Sequence, residues 1–215
     1  MCFVDTMYIH IDKSLLKYYL QSVIIMAPII VAIDGLIGSG KTTLLRNLQK
    51  QGFAVVKEQC HTWKFLEKFY ENPKKYSLAF QVEVLLSFND YKFPDDADIV
   101  FVERCPQVNR SVFGKLLVSD GNLSDEEMVT YTDIYDNLNI WKPDHYIFLD
   151  CPVDVAMDRL KTRGDTNNIT RDYMKRLLYF YEVFNKYANS NIVDSTVSEE
   201  TVMYDVLKLV KSIIS

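Results

Sequence analysis

The passage that most narrows what this chain can fold into is the junction at residues 29–45. An uninterrupted apolar run, Ile29 to Ile33, meets the loop "DGLIGSGKTT", and a helix-like pattern follows. A short run apolar on both sides is the pattern of a strand buried on both faces. The loop has the spacing G-x-x-x-x-G-K-[ST] from Gly35 to Thr42, with Gly38 as an additional glycine. Glycines at these points let the backbone wind tightly and turn several N–H groups into one concavity at a helix N-terminus, a seat for a polyphosphate. Gly35, Gly38, Ser39, Gly40, Lys41, Thr42 and Thr43 are therefore the expected ATP-binding set. Lys41 is expected to reach the β- and γ-phosphates, and the Thr42 hydroxyl to ligate Mg²⁺.

Three further apolar runs, Phe53 to Val56, Ile99 to Val102 and Tyr146 to Leu149, and a weaker one at Ile192 and Val193, are separated by segments of helical periodicity. Pro106 suits a first helical turn, and Ser124 with Glu127 three residues on reads as a capping box. "CPVDVAMDRL" opens another helix at Pro152; Thr170 or Asn168 caps the next, and Ser198 the last. Strands alternating with helices imply an α/β fold, a five-stranded parallel sheet with helices on both faces. In such sheets the ligand lies beyond the C-terminal ends of the strands. The positions that matter are then Asp34 to Thr42, Glu58, Glu103 with Arg104, and Asp150. Residues 15–33 are apolar, but Lys17 and Gln21 interrupt them and Pro28 breaks them, so no membrane span is expected. Residues 1–25 are read as a peripheral extension and residues 26–215 as one domain.

A formal net charge of −5 argues against a protein that coats nucleic acid. Cys2, Cys60, Cys105 and Cys151 lie far apart with no C-x-x-C pair, which points to reduced thiols in the cytoplasm. His10, His61 and His145 are too scattered for a histidine metal centre.

The phosphate acceptor is read from "KEQCHTWKF" at 57–65, "FYENPKKYSLAFQ" at 69–81 and "FVERCPQVNRSVF" at 101–113. A sugar hydroxyl is a poor nucleophile, and a carboxylate beside it can take its proton as transfer proceeds. Glu58, directly beyond the second run, stands where such a base is needed. Arg104 would hold Glu58 and the sugar oxygen while offsetting charge on the phosphoryl group. Glu103 would face Mg²⁺ through water. The Gln81 carboxamide offers a donor and an acceptor side by side, which matches the edge of a nucleobase. Arg159, Lys161 and Arg163 alternate at a helix end, where cations can close over phosphates, with Gly164 as the stop.

These three segments and the glycine-rich loop together resemble the deoxynucleoside kinase family, over about residues 29 to 190. The resemblance implies a P-loop kinase fold with a short arginine-bearing lid, and phosphorylation of a deoxynucleoside 5′-hydroxyl by Mg-ATP with Glu58 as base. It further implies that Gln81 reads the base, Phe113 stacks on it, Phe80 and Trp63 line the walls, Tyr70 bonds the 3′-hydroxyl and Asn109 bears on base choice. Arg163 would be the principal lid cation, with Arg159 also on ATP, and the enzyme a homodimer. The sequence departs from the family in its lid. Asp165 replaces an arginine and the paired glutamates are absent, leaving Asn167 or Asn168 as weak substitutes. Cys105 stands where serine is usual. Pyrimidine deoxynucleosides are a mild preference that no residue derives. Two other readings stay open: a thymidylate-type nucleoside monophosphate kinase, which would need cationic clamps rather than a base, and a non-catalytic nucleotide-binding subunit.

Overall fold

The five apolar runs become five parallel strands in a computed structural model that describes residues 27–164 and 169–214. They are β1 (Ile29–Gly35), β2 (Ala54–Val56), β3 (Ile99–Glu103), β4 (His145–Asp150) and β5 (Asn191–Asp194), in spatial order β2-β3-β1-β4-β5. β1 lies at the centre, pairing Ile33 with Glu103 of β3 and Gly35 with Leu149 of β4. The order reverses at β1, so the glycine loop leaves the sheet between the ends of β3 and β4, the topological switch point where α/β sheets bind ligands. The readings of residues 1–25, and of Asp165, Asn167 and Asn168, lie outside the described residues.

Alternate residues of the strands feed opposite faces. Val31, Ile33, Phe101, Ile147 and Leu149 pack against α1 (Lys41–Lys50) and the final helix, α9 (Glu199–Ile214). Ala32, Val100, Val102 and Phe148 pack on the other face, against residues of α4 (Pro106–Val108), α7 (Val153–Arg163) and α8 (Arg171–Ala188). Removing this apolar surface from water supplies the main folding drive, about 25 cal/mol per Å². A third cluster joins α3 (Pro73–Asn89), which follows the short α2 (Leu66–Glu71), to α6 (Asp125–Asn137) through Phe80, Leu85, Phe88, Tyr131 and Tyr135.

The expected helix starts are present. Ser124 and Glu127 form the full capping box of α6, Thr170 accepts from the Tyr173 N–H to cap α8, and Ser198 accepts from the Thr201 N–H at α9. Each satisfies donors that a helix N-terminus cannot pair internally. α7 stops at Gly164, in the left-handed region at φ 82°. Sequence periodicity did not reveal the π-helical turn Asn109–Gly114, which links α4 to α5 (Lys115–Ser119). Such wide turns re-aim the side chains they carry, here Asn109 and Phe113. Among the described residues no helix is long and apolar enough to cross a membrane.

Candidate active site

The loop after β1 is shaped by contacts that exclude side chains. Gly35 has φ 148°, and a Cβ there would lie 2.7 Å from Ser39 Oγ and 2.8 Å from the Leu149 carbonyl. Gly38 has φ 85°, and a Cβ there would lie 2.7 Å from the Ala156 carbonyl oxygen. Only glycine enters these regions without strain and tolerates such close approach. Inside the loop, Lys41 Nζ donates to the carbonyls of Gly35 (3.0 Å) and Leu36 (2.9 Å). Burial, reinforced by the Arg104 charge, lowers the Lys41 pKa to about 8. Thr42 Oγ1 donates to Glu103 Oε1 at 2.9 Å, so the two candidate metal residues stand side by side at the mouth of the loop.

Arg104 follows Glu103 at φ 63°, left-handed backbone that an arginine occupies at a cost of about 1–3 kcal/mol. The turn is held by the Arg104 N–H donating to the Ile33 carbonyl (3.1 Å). Its guanidinium is almost fully enclosed. Nε donates to Glu58 Oε2 (3.1 Å), and Nη1 to both Asp34 Oδ1 (3.1 Å) and the Tyr181 hydroxyl (2.6 Å). The Phe113 ring covers it at 4.8 Å, a cation–π contact strengthened by desolvation. Burial lifts the Glu58 carboxyl above its ordinary range; Arg104 pulls the other way without cancelling the effect. A carboxylate so tuned accepts a proton more readily than a solvated glutamate.

A cleft of about 490 Å³ gathers Gly38, Ser39, Gly40, Lys41, Thr42 and Thr43 with Glu58, Glu103, Arg104, Arg159 and Arg163. Ile37, Val197 and Val202 also line it. Arg159 braces the loop, donating to the carbonyls of Ser39 (3.3 Å) and Ser195 (2.7 Å). Of the residues expected near the phosphates, Gly35 and Lys161 do not line this cleft; Gly35 shapes the loop from behind.

The expected nucleoside-side residues Trp63, Tyr70, Phe80, Gln81, Asn109 and Phe113 do not line this cleft. Gln81 is buried on α3, and its Oε1 has no hydrogen-bond partner among the described residues. A buried acceptor left empty is costly unless a ligand or water fills it. Asn109 lies beside it, with Nδ2 donating to the Gln81 carbonyl (3.4 Å) and to the Tyr131 hydroxyl (2.9 Å). Trp63 packs edge-on against Phe80 at 5.6 Å and is pinned by Nε1 donating to Ser87 Oγ (3.2 Å). Phe80 also stacks on Phe69 at 4.8 Å, so it belongs as much to the aromatic cluster as to the expected wall. Tyr70, next to Phe69, is 41% exposed. Phe113 lies against Arg104 (4.8 Å) and Tyr181 (6.2 Å), on the phosphate side.

Three participants escape sequence reading. Asp34 falls at a strand end flagged as ligand-proximal, yet nothing in its spacing says that it accepts from Arg104, Tyr181 and the Gly35 N–H (2.9 Å) at once. Tyr181, at helical spacing with Met174 and Leu177, reads as ordinary core. Tyr131 likewise looks like one apolar position among several on α6.

Three comparisons bear on this geometry. The family model described as "Deoxynucleoside kinase" matches residues 31–215. The putative kinase protein 029R of Invertebrate iridescent virus 3 is 35% identical over 185 residues, spanning 84% of this chain and 95% of its own length. The deoxyguanosine kinase of Bacillus subtilis (strain 168) is 32% identical over 160 residues, spanning 71% of this chain and 76% of its own. A solved structure of deoxyadenosine kinase from M. mycoides superimposes with a TM-score of 0.76 at 24% identity, covering 85% of this chain and 99% of that one, and shares the fold.

Proposed function

Because the chain belongs to the deoxynucleoside kinase family, we propose that it transfers the γ-phosphoryl group of ATP to a deoxynucleoside 5′-hydroxyl with Glu58 as general base. One observation carries this reading: Glu58 and Arg104, joined at 3.1 Å, open into the same cleft as Lys41 and Thr42. A monophosphate acceptor is already ionised and needs no carboxylate base, so the Glu58 position disfavours the thymidylate-type alternative. A structural subunit would have no use for a strained arginine between two carboxylates.

In this scheme Glu58 takes the hydroxyl proton, Arg104 steadies the alcohol oxygen and the transferring group, and Lys41 leaves its loop carbonyls for the phosphate oxygens. Thr42 and Glu103 present hard oxygens that suit Mg²⁺, and no cage of three His, Cys, Asp or Glu exists among the described residues. The ion would take its other ligands from phosphate and water. Bound there, it would neutralise charge on the β- and γ-phosphates. Arg159 and Arg163 would contact ATP from the lid side.

Asn109 gives a basis for base preference. The Gln81 carbonyl can only accept, so the amide nitrogen must face it, and both N–H groups are spent inside the protein. Oδ1 is left as an acceptor, which suits an exocyclic amino group and opposes a carbonyl. Deoxyadenosine and deoxycytidine should then exceed deoxythymidine by at least about tenfold in kcat/KM, the scale of one unmatched buried polar pair. Steady-state assays of the four deoxynucleosides and deoxythymidine monophosphate with ATP test both claims. Activity confined to the monophosphate refutes the acceptor assignment, and a preference for deoxythymidine refutes the role of Asn109.

Lys41 predicts a pH dependence. Its pKa of about 8 in the free protein must rise when polyphosphate replaces the carbonyl oxygens. ATP affinity is therefore full below pH 8 and falls above it, by at most about tenfold per pH unit, with proton uptake on binding. Calorimetry in buffers of different ionisation enthalpy measures that uptake; none at pH 9 would contradict the shift.

The remaining assignments concern assembly and location. Leu86 on α3 (47% exposed) and Val129 on α6 (61% exposed) are exposed apolar residues on two helices that pack together, and we assign these helices to a homodimer interface. The described cysteines are free thiols, which fits a cytoplasmic enzyme.

A further inference from the structure

We propose that Tyr181 is a positioning residue for phosphoryl transfer, acting through Arg104 by deciding which carboxylate the guanidinium serves. The inference rests on the roles given above to Arg104 and Glu58. Arg104 stands between two carboxylates and reaches each by a single bond, Nε to Glu58 and Nη1 to Asp34, both at 3.1 Å. Asp34 Oδ2 is buried without a partner among the described residues. It offers the guanidinium a competing seat. A small swing would pair Nη1 and Nη2 with both Asp34 oxygens, a strong bidentate geometry, and would draw the arginine away from Glu58 and the cleft.

The Tyr181 hydroxyl blocks that swing. It accepts from Nη1 at 2.6 Å and donates to Asp34 Oδ1 at 2.6 Å, so one oxygen fixes both partners. The ring has no freedom to follow, since it is fully buried and packed against Phe113 (6.2 Å) and Phe148 (5.1 Å). Burial and the Asp34 charge hold the phenol neutral, able to donate and accept together. With Nε and Nη1 committed, Nη2 is the nitrogen without a partner among the described residues, on a side chain that lines the cleft. It is the one left for the transferring phosphoryl group.

Tyr181→Phe deletes one oxygen and keeps the ring. The expected result is a fall in kcat of about tenfold, the scale of a lost hydrogen bond to a charged group, with KM for both substrates within about twofold. A second readout separates positioning from packing. Glu58 is faced by Arg104 just beyond β3 and Glu103 at its end, Lys41 from α1, Asp34 from β1, and Cys60 and Tyr91 nearby. Of these groups Arg104 pulls its pKa down most, so a guanidinium drawn toward Asp34 lets that pKa rise. The acid limb of the kcat/KM profile must move to higher pH. In an Arg104→Lys background the same substitution should add less than about threefold, because the group it positions is gone. An unshifted acid limb, or the full factor repeated in that background, overturns the proposal. Glu58→Gln run in parallel keeps the outcomes distinct. If it leaves turnover intact, the base assignment fails. If it abolishes turnover while Tyr181→Phe behaves as wild type, only the role of Tyr181 fails.

Discussion

Glu58→Gln is expected to lower kcat by at least about 10²-fold, the contribution of a positioned general base, while deoxynucleoside KM changes by no more than a few-fold. Glutamine keeps the shape and retains an oxygen for Arg104 Nε, which now donates to Glu58 Oε2 at 3.1 Å. What it lacks is a basic lone pair for the 5′-hydroxyl proton. Because burial raises the Glu58 pKa, the wild-type enzyme should lose activity as pH falls through that raised value. The variant's residual rate should show no such limb. Steady-state rates between pH 4.5 and 8 measure both effects, and a variant with wild-type turnover removes Glu58 from the reaction.

Arg104→Ala should be the most damaging single change, because it strands two charges together. The Asp34 and Glu58 side chains are only 6% and 12% exposed. Breaking one partner out of a buried ion pair costs about 3–5 kcal/mol, and turnover should drop by at least about 10²-fold, as when a preorganised transition-state donor is lost. The stability loss carries a sign in pH. Without the arginine the folded pKa of Glu58 rises further above its unfolded value. The stability this group allows is therefore full below the unfolded pKa and is lost as pH rises through the folded one. Denaturant melts should show the deficit to be smaller at pH 4.5 than at pH 7.5. Arg104→Gly should recover about 1 kcal/mol of it, since glycine accepts the φ of 63° without strain. A deficit independent of pH would mean that Arg104 does not neutralise these carboxylates.

Much of this site was legible because its signals are local in sequence. The G-x-x-x-x-G-K-T spacing needs neighbouring residues in one order, and the structure gives Gly35 and Gly38 positive φ and backbone approaches that forbid a Cβ. The capping box at Ser124 and the glycine stop at Gly164 are also local, and both stand where expected. The apolar runs announced the central strands β1, β3 and β4 because a strand buried on both faces leaves no room for polar residues, whereas β5 at the sheet edge, with Ile192 54% exposed and only Val193 buried, left a correspondingly weak run.

The π-helical turn at Asn109–Gly114 is different. Apart from the glycine at its end its sequence carries no local signal, and Gly114 sits where a Cβ would lie 3.2 Å from the Met128 side chain, a neighbour that only the fold supplies. Tyr181 is different again. It lies 77 residues from Arg104 and 147 from Asp34, and helical spacing marks it only as buried. Chain order alone thus determined the phosphate loop and the parallel sheet, since each follows from nearby spacing and the two-faced burial of the central strands, while Glu58, Glu103 and Arg104 were singled out by their places at strand ends together with the family resemblance. Tertiary structure alone decided how the Arg104 charge is divided between two carboxylates. That balance depends on contacts of 2.6 to 3.1 Å between elements far apart in the chain, and only the packed core sets them.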